Sequence, residues 1–261
     1  MNQSLACRVG PGKIGYGGTV HRVQSGPWVG FGALVMMLVA LDHGRLGAGA
    51  WLVGLGAGLA VAVLLSRALG GHREVVLGPA GRITLLRAEL VCAVAALAAE
   101  RGRVALLVVI AVVALVLDGV DGRVARRTGT VTALGARFDM EVDAFLILVL
   151  SAYVAPAAGW WVLLIGAARY LLLAARRALP WLHGDLPPRP WCKVVAVVQG
   201  VVLVVVASGV LPLAVEQGAL LVALVLLAES FGREVRDLWR LAHVSRVVSA
   251  PTRVAELVER A

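Results

Sequence analysis

Apolar residues in this chain are gathered into long blocks, at 28–41, 48–65, 85–99, 104–117, 138–156, 160–173, 193–210 and 217–227, parted by short charged or glycine- and proline-bearing intervals. A helix crossing a bilayer needs roughly 17 to 25 apolar residues, and most blocks approach this length with their flanks. The first is short, and Pro27 with the residues before it is needed to complete it. The pattern predicts about eight membrane helices and no strand. Glycines at 54, 56 and 58 in the second block predict close contact with a neighbouring helix, because small residues let backbones approach in a membrane. The first apolar run begins only at Trp28, after a glycine-rich polar stretch, so no signal peptide is expected.

Composition agrees with this picture. Of 261 residues, 60% are hydrophobic, and the mean hydropathy of +0.87 excludes an ordinary soluble domain of this size. The expected fold is all-α, a polytopic integral membrane protein. The net charge of +9 would point to nucleic acid in a soluble chain. Here the basic residues lie between the apolar blocks and at the ends, where they record topology and contact with anionic headgroups, so membrane lipids and not nucleic acid are the expected partners. The intervals 67–87, 122–137, 169–193 and 233–260 carry most of the arginine and lysine and are predicted to face inward. The short turns at Arg45, at Arg101 and Arg103, and at Glu216 then face outward. The expected location is a bacterial cell membrane, with both termini and the acidic stretch described next on the cytoplasmic side. Cys7, Cys92 and Cys192 follow no metal-ligand or CxxC spacing, and Cys92 reads as a small core residue.

Candidate chemistry is concentrated between residues 118 and 143, where five acids fall within 26 residues. On a helix, Asp118 and Asp121 stand three apart and Asp139 and Asp143 four apart, so each pair shares a face and can converge on one point. Crowded carboxylates repel unless a divalent cation neutralises them, and an oxygen-only donor set suits magnesium, manganese or calcium rather than zinc. Two such pairs fit a two-metal site of the kind that clamps a phosphoryl displacement. Gly119 and Gly122 leave room for a further group, such as a nucleotide, to approach the backbone. Arg169, embedded in the apolar block 160–173, is read as lining a substrate pocket.

The eight residues Asp118, Asp121, Gly122, Ala125, Arg126, Gly135, Asp139 and Asp143 stand in a spacing that resembles the signature of the CDP-alcohol phosphotransferases, integral-membrane enzymes of phospholipid synthesis. Pro79, Thr84 and Arg87 resemble the start of that family's first core helix, although the asparagine often found there is missing; Arg87 and Glu89 are expected near the membrane interface or the site. The resemblance implies a six-helix core over residues 79–231, preceded by a cytoplasmic tail at 1–26 and an extra transmembrane hairpin and linker at 27–78, and followed by a basic cytoplasmic tail at 232–261 that reads as a helix resting on the membrane. It implies attack of an alcohol hydroxyl on the β-phosphate of CDP-diacylglycerol with release of CMP. Asp118, Asp121, Asp139 and Asp143 would hold two Mg2+ or Mn2+ ions, with Asp143 also the base. Gly122, Ala125 and Arg126 would line the CDP site, with Asp118 and Gly135 close to it. Lys193 and Gln199 resemble the Lys-x-x-Thr-x-x-Gln pattern of members that accept a phosphorylated alcohol, with Ala196 in place of the threonine; equally, Lys193 snorkels and Gln199 bonds a neighbouring helix.

With Arg169 and Lys193 read as buried cations, the favoured acceptor is glycerol 3-phosphate, followed by inositol phosphate and then serine. A CDP-linked headgroup donated to diacylglycerol is the alternative within enzymes. Outside that class stand a transporter, of which no repeated half is seen, and an inactive scaffold, which would be expected to lose a motif residue. A homodimer is the family analogy.

Overall fold

The computed structural model describes residues 20–42, 46–70, 79–128, 132–179 and 190–258, and every regular element among them is helical: α1 (Val20–Asp42), α2 (Ala48–Gly70), α3 (Pro79–Glu100), α4 (Val104–Thr128), α5 (Ala133–Ala158), a single 3-10 turn (Trp160–Val162), α6 (Leu163–Ala178), α7 (Pro190–Ala207) and α8 (Leu213–Val258). Each predicted apolar block has its helix. The expected loop at 180–190 and linker before Pro79 lie, but for Pro190, outside the described residues, as do residues 1–19 of the tail. Residues 20–26 belong to α1, which completes the short first block and carries Pro27 within it.

Four helices contain stretches long and apolar enough to cross a membrane, Ala48–Leu69, Val104–Val124, Leu134–Ala158 and Leu213–Arg240, and Gly26–Asp42 and Trp191–Ala207 are shorter apolar helices. The other two of the eight expected spans, α3 and α6, carry charges along their length. Arg87 and Glu89 sit in α3, and Arg169, Arg176 and Arg177 in α6. In α3 that polarity is tolerated because the helix is covered by protein, whereas α6 buries only Ile165 and Gly166. α3 is packed against α1, α2, α4 and α5, and every residue from Val91 to Leu97 is buried. Cys92 is among them, 1% exposed.

Lipid offers no hydrophobic drive for helices to associate, so close packing of small residues must supply it. The expected glycine contact in α2 is present at two of the three positions. A Cβ at Gly58 would collide with Leu34, and one at Gly54 would lie 3.0 Å from both Leu38 and Ala96, whereas Gly56 faces open space. Between α5 and α6, a Cβ at Gly166 would lie 2.7 Å from the Leu148 backbone. Gly159, at φ +117, makes the turn that separates these two helices.

The turn closing the α1–α2 hairpin is fastened to the turn between α3 and α4. Arg103 donates to the carbonyls of Leu41 and, at 3.0 Å, Asp42, and the Gly47 N–H donates to Glu100 at 2.8 Å. Both turns therefore lie at one end of the bundle. At the opposite end, the C-terminal stretch continues α8 without a break through 46 residues, roughly 69 Å at 1.5 Å per residue and more than twice the ~30 Å hydrocarbon core. The helix expected to lie separately on the membrane is thus an extension of the last span, since the charged residues after Glu229 are good helix formers.

Candidate functional site

The acidic stretch is built on two helices. α4 continues beyond its apolar part to Thr128, which brings Asp118 to its polar end. α5 begins at a capped terminus, where the Thr132 side chain accepts a hydrogen bond from the Gly135 N–H at 3.0 Å. A Cβ at Gly135 would lie 2.9 Å from that same hydroxyl oxygen, so glycine suits the tight first turn. One turn later comes Asp139, and one turn after it Asp143.

Asp118, Asp139 and Asp143 converge, each offering a carboxylate oxygen within 4.8 Å of the others. All three are part-buried. The side chains of Asp121, Ala125 and Arg126 lie outside the described residues, although their backbone is helical in α4; Gly122 is half-buried on the same helix.

Arg87 reaches into the middle of this cluster from α3. It is 1% exposed, and its guanidinium pairs with Asp139, with Asp143 and, at 3.0 Å, with Asp118, while its Nε donates to the Ala114 carbonyl at 3.2 Å. Spacing along the chain gave only a loose expectation for Arg87. The signal that could have found it is a lone arginine in an apolar helix, because a buried charge in a span requires a partner.

The residues fit a divalent cation. The donors are hard carboxylate oxygens, and three negative charges against the single charge of Arg87 leave a surplus of two.

Arg169, expected to line the acceptor pocket, is part-buried and donates to Glu141 at 2.6 Å. Glu141 is not one of the eight motif positions. It lies between Asp139 and Asp143 in sequence but, at two residues from each, on another face of α5. Lys193, expected inside the bundle, is exposed, as are Trp191, Cys192 and Val194 beside it, because the first turn of α7 projects from the bundle. Gln199 is 3% exposed, and its amide nitrogen has no hydrogen-bond partner among the described residues. Near the polar end of α6, Arg176 pairs with Glu234 of α8 at 2.5 Å.

A family model described as CDP-alcohol phosphatidyltransferase matches residues 77–229, which include the whole acid cluster and Arg87. No curated protein and no solved structure matches the chain significantly.

Proposed function

This chain belongs to the CDP-alcohol phosphatidyltransferase family, and from that membership we propose that it moves a phosphatidyl group from CDP-diacylglycerol to a phosphorylated alcohol, glycerol 3-phosphate first among them, with release of CMP. The observation that carries the reading is the convergence of Asp118, Asp139 and Asp143 from two helices inside the matched region.

The family depends in general on divalent metal. We assign Asp118, Asp139 and Asp143, with Asp121 as a fourth, to hold Mg2+ or Mn2+ in two positions. Such ions, when bound, neutralise the charge of a diphosphate. The chain's own residues supply the rest. Gly122, Ala125 and Arg126 on the polar end of α4 are assigned to line the nucleotide side of the site, with Asp118 and Gly135 close to it. Asp143 receives the hydroxyl proton as the alcohol oxygen bonds to the β-phosphorus, while the bond from that phosphorus to CMP breaks. We place this end of the bundle, and both termini, on the cytoplasmic side, where the basic intervals gather.

The acceptor reading rests on Arg169, whose bond to Glu141 holds the guanidinium in place and leaves it to be shared with an incoming anion. The test is CMP release by the purified protein with CDP-diacylglycerol and Mg2+, adding glycerol 3-phosphate, inositol 1-phosphate or serine singly. Turnover with glycerol 3-phosphate, and an Arg169→Ala variant whose KM rises roughly tenfold or more for the acceptor but not for the donor, is the expected result. Turnover with serine alone would overturn the anionic acceptor.

A further inference from the structure

The metal reading leaves one charged residue of the cluster without a task. Arg87 comes from α3, a helix that carries none of the carboxylates, yet it is among the largest fully buried side chains of the protein. Its planar fork is used on every edge. Nη1 faces Asp139, Nη2 faces both Asp118 and Asp143, and Nε is tied to the carbonyl of Ala114, one turn before Asp118 on α4. That last bond fixes the guanidinium to the α4 backbone and stops it swinging away.

We propose that Arg87 is a built-in counter-cation, a positioning residue that assembles the carboxylate cluster before any metal arrives and yields part of that role to the ion. The inference rests on the metal reading above. Its physical basis is independent of the reaction. Three carboxylates with oxygens within 4.8 Å of one another repel strongly in a part-buried site of low dielectric, and removing one partner of a buried ionic network leaves uncompensated charge. A guanidinium matches several carboxylates at once where an ammonium offers only a point charge. It also neutralises only one of the three charges. The site is therefore held together while empty and still attracts a divalent cation.

The test uses the full chain purified in detergent and stripped of metal with chelator, with Mn2+ as the probe. Thermal unfolding is followed with and without Mn2+, and ion binding is read by the Mn2+ electron paramagnetic resonance signal. For the wild type the expected result is bound Mn2+ and only a small rise in Tm. Arg87→Gln should lower the metal-free Tm by about 10 °C, and Mn2+ should restore most of that loss. Arg87→Lys, which keeps the charge but not the fork, should fall between the two and decides the matter alone if Arg87→Gln does not fold. An equal loss of Tm with and without Mn2+ would reduce Arg87 to packing and overturn the proposal, as would an unchanged metal-free Tm in both variants. A wild type that binds no Mn2+ would instead remove the metal reading itself, an outcome the resonance signal separates from the others.

Discussion

A carboxylate in a membrane helix is retained only where something compensates it, and in this protein three of them share one guanidinium. The acids themselves were legible from their helical spacing, which is local information. Their partner was legible only as a residue near the interface or the site, because Arg87 lies 31 residues before Asp118 in another helix, and only folding brings α3 between α4 and α5. The Glu141–Arg169 pair was hidden for the same reason. Lys193 failed as a buried cation because nothing in an apolar run says which turn of it protrudes. At this scale the prediction concerns the cluster. Asp139→Asn and Asp143→Asn should each lower CMP release by roughly a hundredfold or more, with the protein still eluting as a folded species. Activity within a fewfold of wild type in both variants would remove these two carboxylates from the site.

Helices were more legible than contacts, since a block of apolar residues bounded by charge records its own length. Where charged residues are themselves good helix formers, the pattern misplaced the boundary. α8 runs through its charged half as one helix. The glycine triplet of α2 separates the two kinds of information. Its positions alternate along the sequence, but helix geometry turns Gly54 and Gly58 toward α1 and α3 and leaves Gly56 facing outward. Gly58→Ala should therefore destabilise the folded protein by about 1–3 kcal/mol through overpacking against buried Leu34, measured as a fall in Tm. Gly56→Ala should be neutral or slightly stabilising, because alanine is the better helix former. Equal effects at the two positions would contradict the α1–α2 packing.

For the whole molecule, the bundle separates support from chemistry. The α1–α2 turn is bolted to the α3–α4 turn at one end by Arg103 and Glu100, while the acid cluster lies toward the other. Glu100 stands 13 residues after Arg87 in α3, roughly 20 Å along the helix. The family match over residues 77–229 covers the cluster and leaves α1 and α2 outside it, and among the described helices this hairpin packs chiefly against α3. Membrane character, helix count and the motif-bearing helices were readable from the chain; which helices enclose which was not. The central claim, that this bundle uses its aspartates to transfer a group from a CDP-linked lipid, is tested most directly by measuring CMP released from CDP-diacylglycerol and an alcohol acceptor before and after chelation of divalent metal. The account predicts CMP release that stops with chelator and returns on adding Mg2+ or Mn2+. Release that continues unchanged in chelator, or folded protein that yields no CMP from any CDP-linked lipid with metal present, would contradict it.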